Sequence, residues 1–382
     1  MNFADKRRKS STNSSRHVFR IAHFQPVSLI FPLDKTEFSC GSDATIQISI
    51  SVTTADVVND ANVLVLGYKG TNSTHWGKLH KNRNYNQIWL MSTGESALSR
   101  VSVLPPLKYR YTSYNWSFYY HSKADISVPF GLYVPSANSE LQPTSPAEGK
   151  RNFLQYKTKL VAWMSSGHCD GLSWDRTQFV RDLANIIPVD TFGKCGSHDC
   201  PKEPVEDCVN ILRRYKFYLA LENNCCSEYI TEKFWRSLQV YEAIPIVIGA
   251  TKREYQRLAP PLSFIHADDF DSMARLAEFI QSVASNVTLY NSFFKWKTHG
   301  QIKLSSPSER KPLFQDGACA LYHYYQEHLS DEKTKRHYFD PYGSSWLANC
   351  FQCGERNWIK SYIFDQNLEA FEKKIGSSNI KE

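Results

Sequence analysis

The chain has 382 residues, of which 42% are hydrophobic and 22% are charged; this globular composition is long enough for two domains and excludes a wholly disordered protein. The formal net charge is +7 with the basic residues scattered along the chain, a pattern that fits an anionic ligand and does not indicate a nucleic-acid partner. No apolar run approaches the roughly 18 residues that a membrane-spanning helix needs, and no signal peptide is visible.

The N-terminal part of the chain is expected to form an open α/β sheet after a disordered start. Residues 1–20 are basic and rich in Ser, so we expect a disordered tail; the cytosolic flank of a membrane anchor is the alternative for its KRRK run. Short runs rich in β-branched and apolar residues predict strands in TIQISISV, ANVLVLGY and QIWLMS. Residues 136–151 are rich in Ser and Pro, so a domain boundary is placed there.

The C-terminal half alternates between predicted strands and predicted helices, which is typical of a parallel sheet covered on both faces. Strands are predicted in KLVAWMSS, PVDTFGKCG, KFYLALEN and IPIVIGA. Helices are predicted in WDRTQFVRDLANII, EYITEKFWRSLQVYEA and SMARLAEFIQSVAS. One apolar face of the second helix is expected to be formed by Ile230, Phe234, Leu238 and Tyr241.

A group of polar residues lies where the strand KFYLALEN ends and the next helix is expected to begin. In an open parallel sheet ligands bind beyond the carboxyl ends of the strands, which is where Glu222 and Asn223 lie. The first helical turn is expected to carry Glu228, Tyr229, Glu232 and Lys233. A helix N-terminus attracts phosphate, Lys233 adds a full positive charge, and Glu232 suits sugar or ribose hydroxyls.

From these residues alone two interpretations stay open. The group forms a cradle for a diphosphate sugar, or it is a surface turn in which Glu232 pairs with Arg236. The segment has no GxGxxG, no phosphate-binding P-loop and no Asp-x-Asp signature, so protein groups rather than a metal ion are expected to hold a diphosphate. No metal site is predicted.

The segment LENNCCSEYITEKFWRSLQVYEAIPIVIGA, residues 221–250, closely resembles the donor-binding motif FENSxxxDYITEKxWxNAxxxxxVPVVxG of the α-1,3-fucosyltransferase family, glycosyltransferase family 10. Other segments resemble the family as well: MSTGES its ESP segment, YNWSFYYHSKADISVPFG its FNWTxSYRRDSDIxxPYG, and KLVAWMSS its VAWVVSN. FVRDLANIIPVDTFGKCG, LSFIHADDF and the terminal CFQC add to these. The resemblance extends from about Cys40 to Cys353.

The resemblance implies an α/β fold of the GT-B type, in which two Rossmann-like domains with parallel sheets face a central cleft. It places an N-terminal acceptor-binding domain over residues 21–150 and a GDP-fucose-binding domain over residues 151–330. The C-terminal segment, residues 331–382, is expected to pack its CxxC back on the first domain. The implied reaction is an inverting transfer of fucose from GDP-fucose to the 3-hydroxyl of N-acetylglucosamine, with no cofactor and no metal.

The resemblance also assigns roles to individual residues. Glu95, in MSTGES, falls on the glutamate of the ESP segment and is implied to be the general base. Donor-binding positions of the family fall on Tyr120, Arg176, Glu222, Asn223, Tyr229, Glu232 and Lys233. Arg176 takes its position only if two extra residues of GHCDGLSWDR loop out. Lys233 is implied to neutralise the charge that develops on the leaving diphosphate.

Several positions depart from the family pattern. His121 replaces the arginine of SYR and is only partly charged near neutral pH, while Ser122 and Lys123 replace the Arg and Asp that follow. Gly167 replaces the asparagine of VVSN, and Asn224 replaces the serine of ENS. These changes leave a catalytically impaired relative that binds GDP-fucose or glycans as an open alternative to an active enzyme.

The ten cysteines and four glycosylation sequons together are typical of a protein of the secretory pathway. The sequons lie at Asn13, Asn72, Asn115 and Asn286. The last three of these, at Asn72, Asn115 and Asn286, are taken as candidates for glycosylation.

Two sets of cysteines are expected to form disulfides. Relatives tie the terminal CxxC to the N-terminal domain, so the resemblance implies that Cys40 pairs with Cys350 or Cys353. A local bridge is expected among Cys195, Cys200 and Cys208.

Taken together, the resemblance implies a Golgi α-1,3-fucosyltransferase, a type II membrane protein whose lumenal catalytic domain modifies glycans of glycoproteins or glycolipids. The membrane anchor of the family is expected to be missing from this chain. A protein O-fucosyltransferase is a further alternative. The acceptor is left open among core chitobiose, LacNAc and LacdiNAc.

Overall fold

The computed structural model describes the chain in segments: residues 17–24, 37–40, 44–49, 60–66, 73–99, 104–136, 151–165, 167, 169, 172–201, 205–304, 312–328, 331 and 337–363. Within these segments the chain forms two α/β domains, each built on its own mainly parallel sheet. The predicted fold class is thereby confirmed. The predicted boundary over residues 136–151 falls almost wholly outside the described residues.

The first domain is built on a seven-stranded sheet with the strand order β2-β3-β1-β4-β5-β6-β7. Its strands are β1 His17–Phe24, β2 Glu37–Cys40, β3 Ala44–Ser49, β4 Val63–Leu66, β5 Ile88–Ser92, β6 Trp116–Tyr119 and β7 Ile126–Ser127. β2 is antiparallel to β3, and the other strand pairs are parallel. Helix α1, Ser73–Lys81, joins β4 to β5, and a 3₁₀ turn at Leu107–Tyr109 precedes β6.

Strand β1 corrects the expectation that residues 1–20 are disordered, because residues 17–20 lie inside the sheet between β3 and β4. Phe19 and Ile21 are buried while Val18 and Arg20 are exposed, the alternation of a half-buried strand. The first sixteen residues lie outside the described part of the chain. The sequence did not predict β1 because its alternation of apolar and polar residues is short and directly follows a polar tail.

The second domain is built on a five-stranded, fully parallel sheet with the order β10-β9-β11-β12-β13. Its strands are β9 Lys159–Met164, β10 Val189–Phe192, β11 Tyr215–Leu221, β12 Ile244–Ile248 and β13 Ile265–His266. A separate ribbon pairs β8, Gly131–Pro135, antiparallel with β14, Gly300–Leu304. A Cβ on Gly131 would lie 2.4 Å from the ring of Trp235, so the ribbon packs tightly against the second domain only because this residue is glycine.

Helices alternate with these strands as predicted. They are α2 Arg176–Ala184, α3 Val205–Leu212, α4 Glu232–Gln239, α5 Lys252–Leu258, α6 Met273–Ser285, α7 Val287–Ser292, α8 Pro312–His328 and α9 Asn357–Lys360. Short 3₁₀ helices span Ala267–Asp269, Lys295–Thr298 and Leu347–Asn349. None of the helices in the described segments is both long enough and apolar enough to cross a bilayer.

One predicted helix is shorter than expected. The helix predicted over residues 228–243 begins at Glu232 and ends at Gln239. Glu228 has a φ of 57° and Glu242 a φ of 50°, and the left-handed conformation at each residue interrupts a right-handed helix. Glu228 and Tyr229 therefore belong to a loop, and Tyr229 does not share a helix face with Lys233.

The C-terminal part of the chain returns to the first domain. Ala318 and Leu321 of α8 share a core with Phe19 and Trp116, so this helix packs on the first sheet although it precedes the expected boundary at residue 330. The segment 337–363 then contacts both domains: Phe339 pairs with Tyr114, and Ile359 lies in the core of the second domain. The two domains are thus joined by a crossing C-terminal segment.

Five disulfides connect all ten cysteines: Cys40–Cys319, Cys169–Cys195, Cys200–Cys208, Cys225–Cys353 and Cys226–Cys350. The expected bridge from Cys40 to the terminal CxxC is wrong, because Cys40 lies beside α8 and pairs with Cys319. The terminal cysteines pair instead with Cys225 and Cys226, on the loop after β11. The local bridge is Cys200–Cys208, and Cys195 reaches Cys169.

Candidate active site

The candidate site is built where strand β11 ends. A last sheet hydrogen bond, from the N–H of Glu222 to the carbonyl of Ile248 at 3.0 Å, aligns the ends of β11 and β12. Residues 223–231 then form a loop that leads into α4. The carboxyl edge of the parallel sheet, the loop and the N-terminus of α4 therefore converge, the usual location of ligands in such folds.

A buried ionic cluster lies under this loop. Glu222 has no exposed surface; its Oε1 accepts from the N–H of Thr231 at 2.7 Å and its Oε2 from the Thr231 hydroxyl at 2.8 Å. Nζ of Lys233 donates to Oε2 of Glu222 at 3.1 Å and to the Thr231 hydroxyl at 2.8 Å. Because both oxygens of Glu222 accept hydrogen bonds from within the protein, Glu222 anchors Lys233. This corrects the expectation that Glu222 binds the donor directly.

Electrostatics in this cluster keep Lys233 charged. Burial alone would lower the pKa of the lysine, but the carboxylates of Glu222 and Glu232 more than offset it, so the pKa is raised. Burial raises the pKa of Glu222, an effect that Lys233 and the hydrogen bonds from Thr231 oppose. A cation is therefore held at the N-terminus of α4, where the helix dipole also favours an anionic ligand.

The predicted base lies against the predicted donor-binding tyrosine. Glu95 follows β5 on a half-buried loop of the first domain, and its N–H donates to the Thr93 hydroxyl at 3.0 Å. The Tyr229 hydroxyl donates to Oε2 of Glu95 at 3.4 Å. Burial raises the pKa of Tyr229 well above its ordinary value, so this hydroxyl stays protonated and acts as a donor. The carboxylate and the cationic cluster thus belong to different domains, and the loop that leads into α4 contacts both through Tyr229 and Thr231.

Aromatic rings line this site. The ring of Tyr120 lies 5.0 Å from that of Tyr229, and the ring of Phe130 lies 6.2 Å from it. The Tyr120 hydroxyl is buried and makes no hydrogen bond to the described part of the chain, so it is an orphaned polar group beside the predicted donor position. A polar ligand bound at this place would give the Tyr120 hydroxyl a hydrogen-bond partner.

Two further predicted residues remain accessible to a ligand. The Asn223 side chain is 8% exposed and makes no hydrogen bond to any residue in the described segments. The Glu232 side chain is 39% exposed, and its Oε1 lies 3.6 Å from Nζ of Lys233. Donor contacts by Asn223 and Glu232 stay predictions.

Arg176 supports the site from beneath. It is the first residue of α2 and is 3% exposed. Nη1 donates to the carbonyl of Leu221 at 3.1 Å and Nη2 to the hydroxyl of Ser165 at 2.8 Å. These bonds tie the ends of β9 and β11 together. Arg176 therefore supports the site from beneath, and its donor contact stays a prediction.

His121 does not restore the charge of the arginine it replaces. It is 3% exposed, and burial lowers its pKa from the ordinary value, although nearby Glu228 opposes this effect. Nδ1 accepts from the N–H of Lys123 at 3.0 Å. His121 is therefore neutral near pH 7 and caps a turn.

Glu228 is a contact between the domains that the sequence analysis did not identify. Its Oε2 accepts from the N–H of Ser122 at 2.7 Å, its Oε1 from the Ser122 hydroxyl at 2.8 Å, and Arg257 pairs with the same carboxylate. Burial would raise the pKa of Glu228, but these hydrogen bonds hold it below its usual range. The sequence does show the capping box that starts α5, formed by Thr251 and Glu254. This helix carries Arg257, but the capping box does not predict the contact with Glu228.

The sequons differ in accessibility. Asn115 is 4% exposed, and its Oδ1 accepts from the N–H of Trp89 at 2.9 Å, so the folded chain has no room for a glycan there and this candidate is corrected. Asn286 is exposed and caps α7 through a 2.9 Å bond from the N–H of Leu289, a position open to modification. Asn13 and Asn72 lie outside the described residues.

No group of three or more His, Cys, Asp or Glu side chains in the described segments is arranged to hold a metal ion.

Comparison with protein families matches residues 154–339 to the description "Glycosyltransferase family 10 (fucosyltransferase) C-term". The matched region contains the β11–α4 loop and the buried cluster. The recognised part is thus the second domain together with α8.

Curated relatives carry fucosyltransferase names. Alpha-(1,3)-fucosyltransferase 4 of Bos taurus is 37% identical over 199 residues, which are 50% of this chain and 46% of that protein. Glycoprotein 3-alpha-L-fucosyltransferase A of Drosophila melanogaster is 38% identical over 188 residues, 49% of this chain and 36% of that protein. Alpha-(1,3)-fucosyltransferase 7 of Rattus norvegicus is 32% identical over 246 residues, 64% of this chain and 60% of that protein. The chain spans about half the length of these relatives.

Solved structures establish the same fold over both domains. A crystal structure of an alpha1,3-fucosyltransferase covers 85% of this chain and 93% of its own, with a TM-score of 0.53 at 15% identity. A crystal structure of an alpha1,3-fucosyltransferase with GDP-fucose gives a TM-score of 0.51 at 14% identity, covering 86% of this chain and 95% of its own. On these matches the second domain is similar to the C-terminal domain of glycosyltransferase family 10, the fucosyltransferase family, and both domains share the fold of solved alpha1,3-fucosyltransferases.

Proposed function

We propose that the protein transfers fucose from GDP-fucose to the 3-hydroxyl of N-acetylglucosamine in a glycan, in α-1,3 linkage and with inversion at the anomeric carbon. The observation that carries the proposal is the contact between Glu95 and Tyr229 across the two domains, with Tyr229 on the same loop that leads to the charged Lys233. Base and leaving-group stabiliser then lie on opposite sides of one site, as a single displacement needs.

The acceptor oxygen forms a bond to C1 of fucose while the bond from C1 to the β-phosphate oxygen breaks, and GDP leaves with the electron pair. The proton of the acceptor hydroxyl passes to the Glu95 carboxylate. Lys233 offsets the negative charge that grows on the diphosphate. Tyr229 hydrogen-bonds Glu95 and sets where its carboxylate points.

Protein groups suffice for the diphosphate in this proposal. Lys233, the N-terminus of α4 and the side chain of Asn223 supply the positive charge and the polar contacts to the diphosphate, and Glu232 binds sugar or ribose hydroxyls. We propose that catalysis needs no metal ion. The names of the relatives, and the similarity to a solved alpha1,3-fucosyltransferase with GDP-fucose, support the choice of donor.

The acceptor and the compartment are proposed from the family and the cysteine pattern. The acceptor is a glycan on a glycoprotein or glycolipid. Five disulfides, and the exposed sequon at Asn286, support an oxidising secretory compartment, and we propose the lumen of the Golgi apparatus with a membrane-anchored enzyme.

The test is transfer of radiolabelled fucose from GDP-fucose to a panel of acceptors: core chitobiose glycans, LacNAc, LacdiNAc and folded protein domains. We expect labelled glycan, resistant to a chelator and with α-1,3 linkage by product analysis. Labelled protein without a glycan would instead establish a protein O-fucosyltransferase. Tight binding of GDP-fucose without transfer to any acceptor would establish an impaired binding protein.

A further inference from the structure

The loop between β11 and α4 also contacts the part of the first domain that carries Glu95. We call residues 224–229 the coupling loop. Nδ2 of Asn224 donates to the hydroxyl of Ser96 at 2.9 Å and to the hydroxyl of Ser99 at 2.7 Å. Oδ1 of Asn224 accepts from the N–H of Ser173 at 3.3 Å. Asn224 is 3% exposed and Ser96 is fully buried, so the bridge between the domains is shielded from water.

The coupling loop is itself fixed by covalent bonds. Adjacent residues Cys225 and Cys226 form disulfides to Cys353 and Cys350. The N–H of Phe351 donates to the carbonyl of Cys225 at 2.8 Å, which adds a short backbone pairing to the two bridges. Two disulfides and a backbone pairing leave Asn224 little freedom to move relative to the C-terminal segment that carries Cys350 and Cys353.

The loop that holds Glu95 is shaped by the residues that Asn224 binds. The N–H of Ser99 donates to the carbonyl of Ser96 at 3.1 Å, and the two hydroxyls lie 3.2 Å apart. This turn presents both hydroxyls to the Asn224 amide, with Glu95 directly before Ser96. From the other side, the Tyr229 hydroxyl donates to the carboxylate of Glu95.

We propose that Asn224 is a positioning residue for Glu95: its amide fixes the base-bearing loop against the disulfide-anchored coupling loop, so that base and leaving group are aligned. The inference rests on the proposed function and adds a residue to it. A serine at this position offers one hydroxyl donor, whereas the carboxamide of Asn224 offers two N–H groups and binds both Ser96 and Ser99. Alignment matters because small misplacement of reacting groups costs large factors in rate.

The central experiment is a double-mutant cycle between Asn224→Ala and Glu95→Gln. Asn224→Ala alone should lower kcat by about tenfold to a hundredfold through misalignment, while the Kd for GDP measured by calorimetry stays near the parental value. In the Glu95→Gln background Asn224→Ala should lower kcat little further, because no base remains to be positioned. The effects of Asn224→Ala and Lys233→Ala on the activation free energy should be additive, since Lys233 acts on the leaving group.

A matched control is another contact between the domains. Ser122→Ala removes the hydroxyl bond to Glu228, which is also in the coupling loop, but leaves both hydrogen bonds of the Asn224 amide to Ser96 and Ser99 in place. We expect parental kcat for this variant. If Asn224→Ala fails to fold, Ser99→Ala replaces it, because Ser99 is only half-buried and the change removes one of the two acceptors of the Asn224 amide.

The outcomes separate the inference from the proposed function. Parental kcat in folded Asn224→Ala or in Ser99→Ala, or a fully additive cycle with Glu95→Gln, overturns the positioning role while leaving the transferase intact. An equal loss in Ser122→Ala also overturns it, because the effect would then come from domain contact in general. A parental chain that transfers no fucose overturns the proposed function and this inference together.

Discussion

Nζ of Lys233 lies 3.1 Å from Oε2 of Glu222, a carboxylate without exposed surface, so the cation proposed to face the donor rests on a fully buried anion. Such a pair is costly to break, because removing one partner leaves a buried charge without compensation. Stability and turnover are therefore coupled at this position.

Glu222→Gln should destabilise the protein by about 3 kcal/mol, as expected when one partner of a buried pair is removed. The alkaline limb of the kcat profile should also move to lower pH, because the pKa of Lys233 loses its main upward influence. Denaturant titration and a pH series measure the two effects. The control Glu278→Gln, at the exposed pair Arg275–Glu278, should change stability by less than about 0.5 kcal/mol. Equal stability of the two variants would contradict the buried pair.

Lys233→Ala should lower kcat by about a hundredfold or more, the usual result of removing a group that stabilises transition-state charge. It should also lower stability, because Glu222 is left buried without a counter-charge. Kinetics at saturating donor, together with thermal melting, check both effects. Transfer at the parental rate by a folded variant would remove Lys233 from the diphosphate site.

Glu95→Gln keeps the shape of the side chain and removes the base. We expect kcat to fall by about 10² to 10⁴, the usual contribution of general-base catalysis, while GDP-fucose binding changes little. Steady-state kinetics with the acceptor at saturation make the measurement. A raised KM with near-parental kcat would show that Glu95 binds the acceptor and does not take its proton.

The disulfide from Cys40 to Cys319 closes a separation of 279 residues, against 8 for Cys200–Cys208. The chain-entropy estimate is about 5.6 kcal/mol for the long loop and about 2.5 kcal/mol for the short one. Replacing both cysteines of each bridge by serine should therefore lower the unfolding free energy more for the first pair. Non-reducing peptide mapping should recover Cys40 joined to Cys319. A peptide joining Cys40 to either terminal cysteine would refute the assignment.

Burial lowers the pKa of Lys157 to about 7, and Nζ donates to the carbonyls of Arg213 and Tyr241 at 2.8 and 2.9 Å. The unfolded chain binds this proton up to about pH 10.4, so between pH 7 and that value it holds more protons than the folded chain. This residue's contribution to stability therefore rises with pH over that window. Lys157→Met should abolish that rise in chemical denaturation, while Lys303→Met, at an exposed lysine of β14, should keep it. A parental slope in Lys157→Met would refute the assignment.

The sequence by itself determined the local structure and the resemblance to the fucosyltransferase family. Each of the seven predicted strands and three predicted helices is present, because apolar spacing encodes which face of an element is buried. The sequence also predicted where the polar cluster after KFYLALEN lies, because ligands bind at the carboxyl edge of parallel strands. The Tyr229 hydroxyl lies 3.4 Å from the Glu95 carboxylate, and the roles that the resemblance assigns to these residues and to Lys233 stay predictions.

Only the tertiary structure decided which polar groups face a ligand and which face the protein. Glu222 and Lys233 are both polar in the sequence, yet one is fully buried and holds the other. Asn224 stands 128 residues from Ser96 along the chain, and Cys40 stands 279 residues from Cys319. Contacts over such separations depend on how two domains and a crossing C-terminal segment dock. That docking depends on complementary surfaces of the folded elements. Such surfaces have no local periodicity in the sequence by which they could be predicted.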